Sequence, residues 1–247
     1  MGISTFQRPA GTTKRSAKSA KSGGTAMLTV HHLNNSRSQR VLWLLEELGL
    51  PYEIVRYQRQ PDMRAPAELR AIHPLGKSPV ITDNGNTIAE SGAIVEYILD
   101  TYGEGRLTPP SKTPERLRYT YWLHYAEGSA MPPLLLKLLF TLMPKRAPAL
   151  LRPLVRKVAN QALTTLVNPQ LKQHMAYWEG ELGKNEWFAG NEFTAADIQM
   201  SFPLEAAAAR GGLEQGHPRA MAFLDRIHAR PAYNRALEKG GPYTVGR

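Results

Sequence analysis

The apolar pattern of the chain changes once, near residue 110, and this change limits the fold more than any other feature. From residue 28 to about residue 107, short strand-like runs alternate with helical runs. After residue 114 only helical periodicity remains, and a stretch rich in glycine and proline separates the two parts. The pattern therefore predicts an α/β domain over 27–107, a linker over 108–114 and an all-helical domain over 115–240.

The first part follows the order βαβαββα. Its last two strands flank Asn84-Gly85, which is a strong signal for a hairpin turn. A dinucleotide-binding half would need parallel βαβ units and a glycine-rich fingerprint instead. A terminal hairpin is typical of the thioredoxin-like order, which we expect here. The predicted strands are 28–33, 52–57, 79–82 and 87–89, and the predicted helices are 41–48, 66–72 and a helix that begins at Ser91.

The second part contains a well-marked helix start. Thr194 can cap a helix and Asp197 can return the bond three residues later, which is a capping box. In the same helix, Pro203 has no amide to donate to the carbonyl of Gln199, so we expect a kink there. The predicted helices are 117–126, 134–143, 154–182 (as one helix, or as two broken near Pro169), 195–209, 220–228 and 233–237, with an interruption over 144–153.

Composition narrows the classes of function. The absence of cysteine excludes disulfides, cysteine nucleophiles and thiolate metal sites. No run of 18 apolar residues and no cluster of histidines and carboxylates at ligand spacing is found, so we expect neither a membrane span nor a bound metal. The net charge of +10 suggests nucleic acid as a partner, but residues 1–26 hold five of the cations and no acid. We therefore expect no nucleic-acid partner.

The two ends of the chain look different from the rest. Residues 1–26 are basic, rich in serine and threonine and poor in bulky side chains, so we expect a disordered tail. A native tail, a targeting segment and a start codon assigned too early all fit, and we favour the last, with Met27 as the first residue. The segment lacks the apolar core of a secretory signal, and we expect a cytoplasmic protein. Residues 241–247 are predicted to be a C-terminal tail.

Two further features have ordinary interpretations. His31 and His32 are neighbours on a strand, face opposite ways and are interpreted as strand histidines without a function. The basic, apolar segments 134–139 and 151–157 could touch a membrane surface, but amphipathic helices of a protein core are the commoner explanation. Membrane contact is therefore not expected.

Three short motifs lie where a thioredoxin-like fold has its ligand edge. Residues 35–40 place hydroxyls and free amides at a helix N-terminus, which favours an anion. Residues 77–80 contain a proline that can hold a cis bond, beside a strand edge that could pair with an extended peptide. Ser91 offers a hydroxyl to a carboxylate, and Glu90 offers a countercharge to an amine. Together they suit a small zwitterionic peptide with a thiol.

These motifs, in this order, resemble the glutathione S-transferase superfamily, and its bacterial and fungal branch most closely. The resemblance covers 27–240 and includes 35–47, 73–79, Glu90-Ser91 and the pair Thr194 and Asp197. It implies a thioredoxin-like domain that binds glutathione as co-substrate, a helical domain that completes a pocket for a hydrophobic electrophile, and a homodimer. The implied activity is glutathione transfer in detoxification, with reduction of organic hydroperoxides as a further activity. A non-catalytic binding or carrier protein with the same fold is the alternative.

The resemblance also implies the site residues. Ser36, four residues before Arg40, matches the catalytic serine of the serine-type classes, and Asn35 is the alternative thiol partner. Ser38 stands where the family often has proline, and no tyrosine of the tyrosine-type classes is present on the first strand. Arg40 either binds glutathione or braces the loop. The glutathione-binding residues are expected to be Arg40, Lys77 at the glycyl carboxylate, Ser78 and Pro79 at the cysteinyl backbone, and Glu90 and Ser91 at the γ-glutamyl end. The electrophile pocket is expected to include Tyr121, His124 and Tyr125, with Glu127 as a further candidate, although these residues could equally serve packing and the surface.

Overall fold

Four short strands form one mixed sheet in the first part of the chain. They are β1 (Thr29–Leu33), β2 (Glu53–Tyr57), β3 (Val80–Asp83) and β4 (Asn86–Ala89). The computed structural model describes residues 27–60, 62, 64–214 and 216–244, so the tail predicted over 1–26 lies outside the described residues. The strand order is β2-β1-β3-β4, with β1 and β2 parallel and the other neighbours antiparallel. This arrangement confirms the thioredoxin-like prediction.

Three helices accompany the sheet: α1 (Ser38–Leu48), α2 (Ala67–Ile72) and α3 (Ser91–Tyr102). α1 forms because Val41, Leu44, Leu45 and Leu48 recur at helical spacing, and all four are buried. It ends at Gly49, whose φ of 64° is a left-handed conformation that glycine adopts without strain. The N-termini of α1 and α3 and the segment before β3 lie at the same edge of the sheet, where residues from all three line one cleft.

The rest of the chain is helical. The helices are α4 (Pro114–Tyr125), α5 (Met131–Arg146), α6 (Arg152–Ala162), α7 (Asn168–Glu181), α8 (Ala195–Arg210), α9 (Pro218–His228) and α10 (Pro231–Gly240). Two π-helical turns, Ala126–Ala130 and Leu163–Val167, join α4 to α5 and α6 to α7 without a break in the helical path. Each turn inserts one extra residue and changes which side chains face a given neighbour.

Two helix interruptions that were predicted from proline residues lie at slightly different positions in the structure. α5 continues through Pro144 to Arg146, because a proline two residues from a helix end removes only one late hydrogen bond, and the interruption is confined to residues 147–151. The break expected near Pro169 is the π-helical turn before it. Pro169 itself lies in the first turn of α7, where the missing amide would have had no helical partner.

The capping box at the start of α8 is present as predicted. The Thr194 amide donates to Asp197 Oδ2 at 2.8 Å, and the Phe188 amide donates to Asp197 Oδ1 at 2.9 Å. Asp197 is fully buried, and this burial raises its pKa to about 6. A single carboxylate thus anchors α8 and the loop that precedes it.

Residues 241–244, predicted as the beginning of a tail, pack against the body of the protein. Tyr243 is buried, and its hydroxyl donates to Glu205 at 2.6 Å. The Thr244 amide donates to Asn35 Oδ1 at 2.8 Å, which ties the C-terminal segment to the loop before α1. Residues 245–247 lie outside the described part of the chain. Over the described ranges, none of the helices has both the length and the apolar character needed to cross a membrane.

Candidate active site

A cleft of about 600 Å³ opens where the three sequence motifs meet. Lys77, Ser78 and Pro79 contribute one wall from the segment before β3, and Glu90 and Ser91 contribute another from the start of α3. The structure therefore brings together five of the predicted glutathione-binding residues. Among the residues that the structure describes, no group of three or more histidines and carboxylates could hold a metal ion.

The segment before β3 leaves its backbone available to a ligand. The Ser78–Pro79 peptide bond is cis, as the sequence suggested. The ladder of β3 begins at Val80, so the backbone of Ser78 lies just beyond it. The Leu33 amide donates to Ser78 Oγ at 3.4 Å and links this segment to the end of β1. An extended peptide can add to the sheet at such an edge.

Ser36 lies directly beneath the cleft wall. Its Oγ is 3.1 Å from Ser78 Oγ and 2.8 Å from Ser38 Oγ, and its side chain is 5% exposed. Asn35, the alternative thiol partner, has a different use: Oδ1 accepts from the Thr244 amide and, at 3.1 Å, from the Thr244 hydroxyl. Of the two candidates, Ser36 is the one whose side chain bonds the side chain of a residue in the cleft wall, Ser78.

Glu90 and Ser91 shape the far wall of the cleft. Glu90 has a φ of 73°, a left-handed backbone conformation that is uncommon for residues other than glycine. Ser91 is the first residue of α3 and is buried, and its Oγ accepts from Arg40 Nη2 at 3.2 Å. Because Ser91 accepts on this side, its own proton remains available for a carboxylate at the helix N-terminus.

Arg40 stands behind the cleft and not in its wall. It is 2% exposed, and besides Ser91 it reaches two partners on other elements. Nη1 donates to the Gln199 carbonyl at 2.6 Å, and Nη2 also bonds the Glu127 carboxylate. The Gln199 carbonyl is the one that Pro203, four residues later, leaves without a helical donor. The proline in α8 thus supplies an acceptor for an arginine of α1, and Arg40 reaches a ligand only through its neighbours.

Glu127 is a cleft residue that the sequence suggested for the electrophile pocket and not for the glutathione contacts. It lies in the first π-helical turn, lines the cleft and pairs with both Arg37 and Arg40. Burial alone would raise its pKa, but the two arginines outweigh burial and hold the pKa of Glu127 below its usual range. Burial lowers the pKa of Arg40 in spite of Glu127. The signal in the sequence was weak, because Glu127 and Arg40 are 87 positions apart.

Cations predominate in the cleft wall. Besides Lys77, the wall contains four arginines, against two carboxylates, Glu90 and Glu127. Arg59 also pins the loop beneath, since its guanidinium donates to the carbonyls of Asn34 at 3.2 Å and Asn35 at 3.3 Å. This charge balance suits a ligand with more than one carboxylate. The four arginines are Arg37, Arg59, Arg64 and Arg70.

Tyr121, His124 and Tyr125, the other residues predicted for the electrophile pocket, do not line this cleft. Tyr125 turns toward α7, where its hydroxyl bonds His174 and accepts from Trp178 Nε1 at 3.1 Å. Tyr121 stacks on Tyr125 with ring centroids 5.4 Å apart, and His124 is exposed. From this side of the molecule, Glu127 in the π-helical turn and Leu135 on α5 line the cleft.

The chain matches two family models. The glutathione S-transferase N-terminal domain matches residues 26–100, and the glutathione S-transferase C-terminal domain matches residues 142–231. Among curated proteins, glutathione S-transferase 3 of Schizosaccharomyces pombe is 37% identical over 213 residues, covering 86% of this chain and 88% of that protein. Glutathione S-transferase 1 of Saccharomyces cerevisiae is 34% identical over 222 residues, covering 86% and 95%.

Solved structures show the same similarity. A glutathione S-transferase from Actinobacillus pleuropneumoniae has a TM-score of 0.72 and 33% identity, covering 90% of this chain and 96% of that one. A sphingomonad glutathione S-transferase, solved as a complex with glutathione, has a TM-score of 0.66 and 25% identity, covering 86% and 98%.

Proposed function

The chain belongs to the glutathione S-transferase family, and we propose that Ser36 is the group that activates the glutathione thiol in it. The protein is a transferase with glutathione as its co-substrate. The observation that carries the proposal is the position of Ser36 Oγ, 3.1 Å from Ser78 Oγ at the cleft wall. We also propose the domain division of 27–107 and 115–240.

Glutathione would be held at three points. The glycyl carboxylate meets Lys77, and the cysteinyl backbone pairs with the backbone of Ser78 beside the cis proline. The γ-glutamyl carboxylate accepts from Ser91 and the N-terminus of α3, and its ammonium faces Glu90. Arg40 positions Ser91 from behind. With glutathione held in this way, its cysteinyl sulfur would lie beside Ser36.

Activation of the thiol requires a modest free energy. A free thiol with a pKa of about 8.5 is only a few per cent thiolate at pH 7. Lowering that pKa by about two units stabilises the thiolate by about 2.7 kcal/mol relative to the thiol. One hydrogen bond to an anion supplies about 1.5–3 kcal/mol, and the N-terminus of α1 and the cations of the wall add to it. The thiolate then adds to an electrophile or displaces its leaving group.

The electrophile would lie beside Leu135. This side chain lines the cleft and is 50% exposed, so it offers an apolar surface next to the expected position of the sulfur. We propose a hydrophobic electrophile there. Reduction of organic hydroperoxides would use the same thiolate: it attacks the terminal peroxide oxygen, the O–O bond breaks and the alcohol leaves, and a second glutathione converts the resulting sulfenic acid to glutathione disulfide and water. An assay with a hydroperoxide separates this activity from conjugation. The retained cleft residues favour the enzyme over a non-catalytic carrier.

We also propose a homodimer. α4, α6 and the π-helical turn Leu163–Val167 carry exposed apolar side chains that a partner subunit could cover. Sedimentation of the purified protein would test this, and binding to vesicles in the absence of a dimer would point to a membrane surface instead. The cytoplasmic location stays a prediction. The exposed side chains include Leu117 at 74%, Tyr121 at 46%, Leu154 at 63%, Val158 at 56% and Leu166 at 50%.

The role of Ser36 is tested with a model aryl halide electrophile. Ser36→Ala should lower kcat for conjugation by about tenfold to a hundredfold, because it removes a bond to the thiolate, while Asn35→Ala should have a much smaller effect. Ser201→Ala is the matched control, since Ser201 is a buried serine of α8 whose hydroxyl donates to the Ile198 carbonyl. Activity of Ser36→Ala within about twofold of the wild type would show that the assignment is wrong.

A further inference from the structure

A chain of buried hydroxyls extends from Ser36 away from the cleft and ends at a histidine. Ser38 Oγ lies 2.8 Å from Ser36 Oγ and 2.8 Å from His32 Nδ1. The three side chains are 5%, 0% and 4% exposed for Ser36, Ser38 and His32. His31, its neighbour on β1, takes no part, since it bonds Tyr57 and Thr82. The sequence assigned no function to His32, and the mechanism above uses neither it nor Ser38.

His32 is held neutral in this position. Burial lowers the pKa of His32 to about 4, and the charge of Arg56 adds to the effect. A hydrogen bond to the Gly240 backbone raises the pKa, as expected when a ring N–H donates to a carbonyl. A neutral imidazole has one donor and one acceptor nitrogen, so Nδ1 is the acceptor and can take the proton of Ser38.

Ser38 therefore has one proton and two neighbours that can accept it. The hydroxyl is not used to cap α1, because the cap residue is Arg37 and no side-chain cap bond is present. Its remaining contact, 3.5 Å from the Leu33 carbonyl, is at the limit of a hydrogen bond. With its proton on His32, Ser38 can accept from Ser36, whose hydroxyl can also donate to Ser78 Oγ at 3.1 Å. When Ser38 instead donates its proton to Ser36 Oγ, the Ser36 hydroxyl is free to donate to an acceptor other than Ser38.

We propose that Ser38 is a positioning residue whose proton turns from His32 to Ser36 when the glutathione thiolate forms, so that the Ser36 proton turns to the sulfur. This inference rests on the proposed role of Ser36. The thiol proton leaves to solvent, and the two hydroxyl protons rotate without leaving their oxygens. A hydroxyl whose oxygen accepts a hydrogen bond is a stronger donor, so the Ser38 proton strengthens the bond from Ser36 to the thiolate.

His32 has the complementary part in this scheme. It satisfies the Ser38 hydroxyl while no thiolate is present, so that a buried polar group is not left unpaired. It also competes with Ser36 for the same proton. Removing the acceptor on His32 should therefore favour the donor arrangement of Ser38, whereas removing the Ser38 hydroxyl should abolish it. The two substitutions should therefore shift the pKa of the bound thiol in opposite directions.

The test is the pKa of the bound glutathione thiol, followed by its ultraviolet thiolate absorbance in the full-length protein. Ser38→Ala should raise this pKa by about one unit and lower kcat below neutral pH by about tenfold, with the KM for glutathione within about twofold. His32→Phe, which keeps a ring but no acceptor nitrogen, should leave the thiol pKa unchanged or lower it. Ser201→Ala is again the control, and His32→Leu replaces His32→Phe if that variant does not fold.

Each outcome decides the proposal. If Ser38→Ala leaves the thiol pKa unchanged, Ser38 does not position Ser36. If both variants raise the thiol pKa, the pair only supports the fold of the loop. In both of these cases the inference fails, but the proposed function stands as long as the wild type binds glutathione with a lowered thiol pKa. If the wild type binds no glutathione, the proposed function fails and this inference fails with it.

Discussion

Replacing Arg40 by lysine should weaken both the fold and the glutathione site, because lysine keeps the charge but loses the planar fork. The guanidinium bonds the Gln199 carbonyl, Ser91 and Glu127, which lie on three different elements. One ammonium group cannot keep all three contacts. Since hydrogen bonds to charged groups contribute about 1.5–3 kcal/mol each and lysine retains part of the ion pair, we expect a loss of about 2–4 kcal/mol in the free energy of unfolding.

Denaturant unfolding and a thermal melt measure this loss directly. A loss of that size should lower the Tm by about 5–15 °C for a chain of this length. Glutathione affinity, measured by titration calorimetry, should fall about fivefold, because Ser91 loses the donor that orients it. Arg210→Lys is the matched control, since Arg210 is exposed at the end of α8, and it should change stability by less than about 0.5 kcal/mol. An Arg40→Lys protein as stable as this control would refute the reasoning.

Three other changes have defined outcomes. Asp197→Ala should reduce the free energy of unfolding by about 2–4 kcal/mol because it strands the Phe188 and Thr194 amides, whereas Asp225→Ala, at an exposed position, should have little effect. Because burial raises the pKa of Asp197 to about 6, the contribution of this residue to stability should fall as pH rises from about 4 to about 6, while the lowered pKa of His32 has the opposite effect in the same range. The stability of the wild type relative to Asp197→Asn, measured by denaturant unfolding at each pH, should therefore decrease over this range. Lys77→Gln should raise the KM for glutathione about fivefold with kcat within about twofold, and equal falls in both parameters would contradict a pure binding role.

Local patterns predicted most of the fold. The hairpin at Asn84-Gly85 and the helical stripe of α1 are encoded by neighbouring residues, and the structure has both. The capping box of Thr194 and Asp197 is equally local. Proline was less informative, because its effect depends on where it lies in a helix. Pro144 near the end of α5 is tolerated, which only the full length of the helix reveals.

The site was predictable only in its local parts. Lys77, Ser78, Pro79, Glu90 and Ser91 belong to short motifs at fixed places in a thioredoxin-like sheet, and the cleft brings them together. The contact between Arg40 and Glu127 joins distant positions that no local pattern connects. The electrophile pocket predicted around Tyr121, His124 and Tyr125 stays a prediction, since Tyr121 stacks on Tyr125, and Tyr125 bonds residues of α7 in contacts between distant positions that no local pattern reveals.

The central claim is that this cleft lowers the pKa of the glutathione thiol, and titration of the bound thiol measures that directly. The ultraviolet thiolate absorbance of glutathione bound to the wild-type protein, followed against pH, needs no knowledge of the electrophile. We expect an apparent pKa about two units below the free value of about 8.5. Bound glutathione with an unshifted thiol pKa would contradict activation and indicate a carrier, and the absence of binding would contradict the site itself.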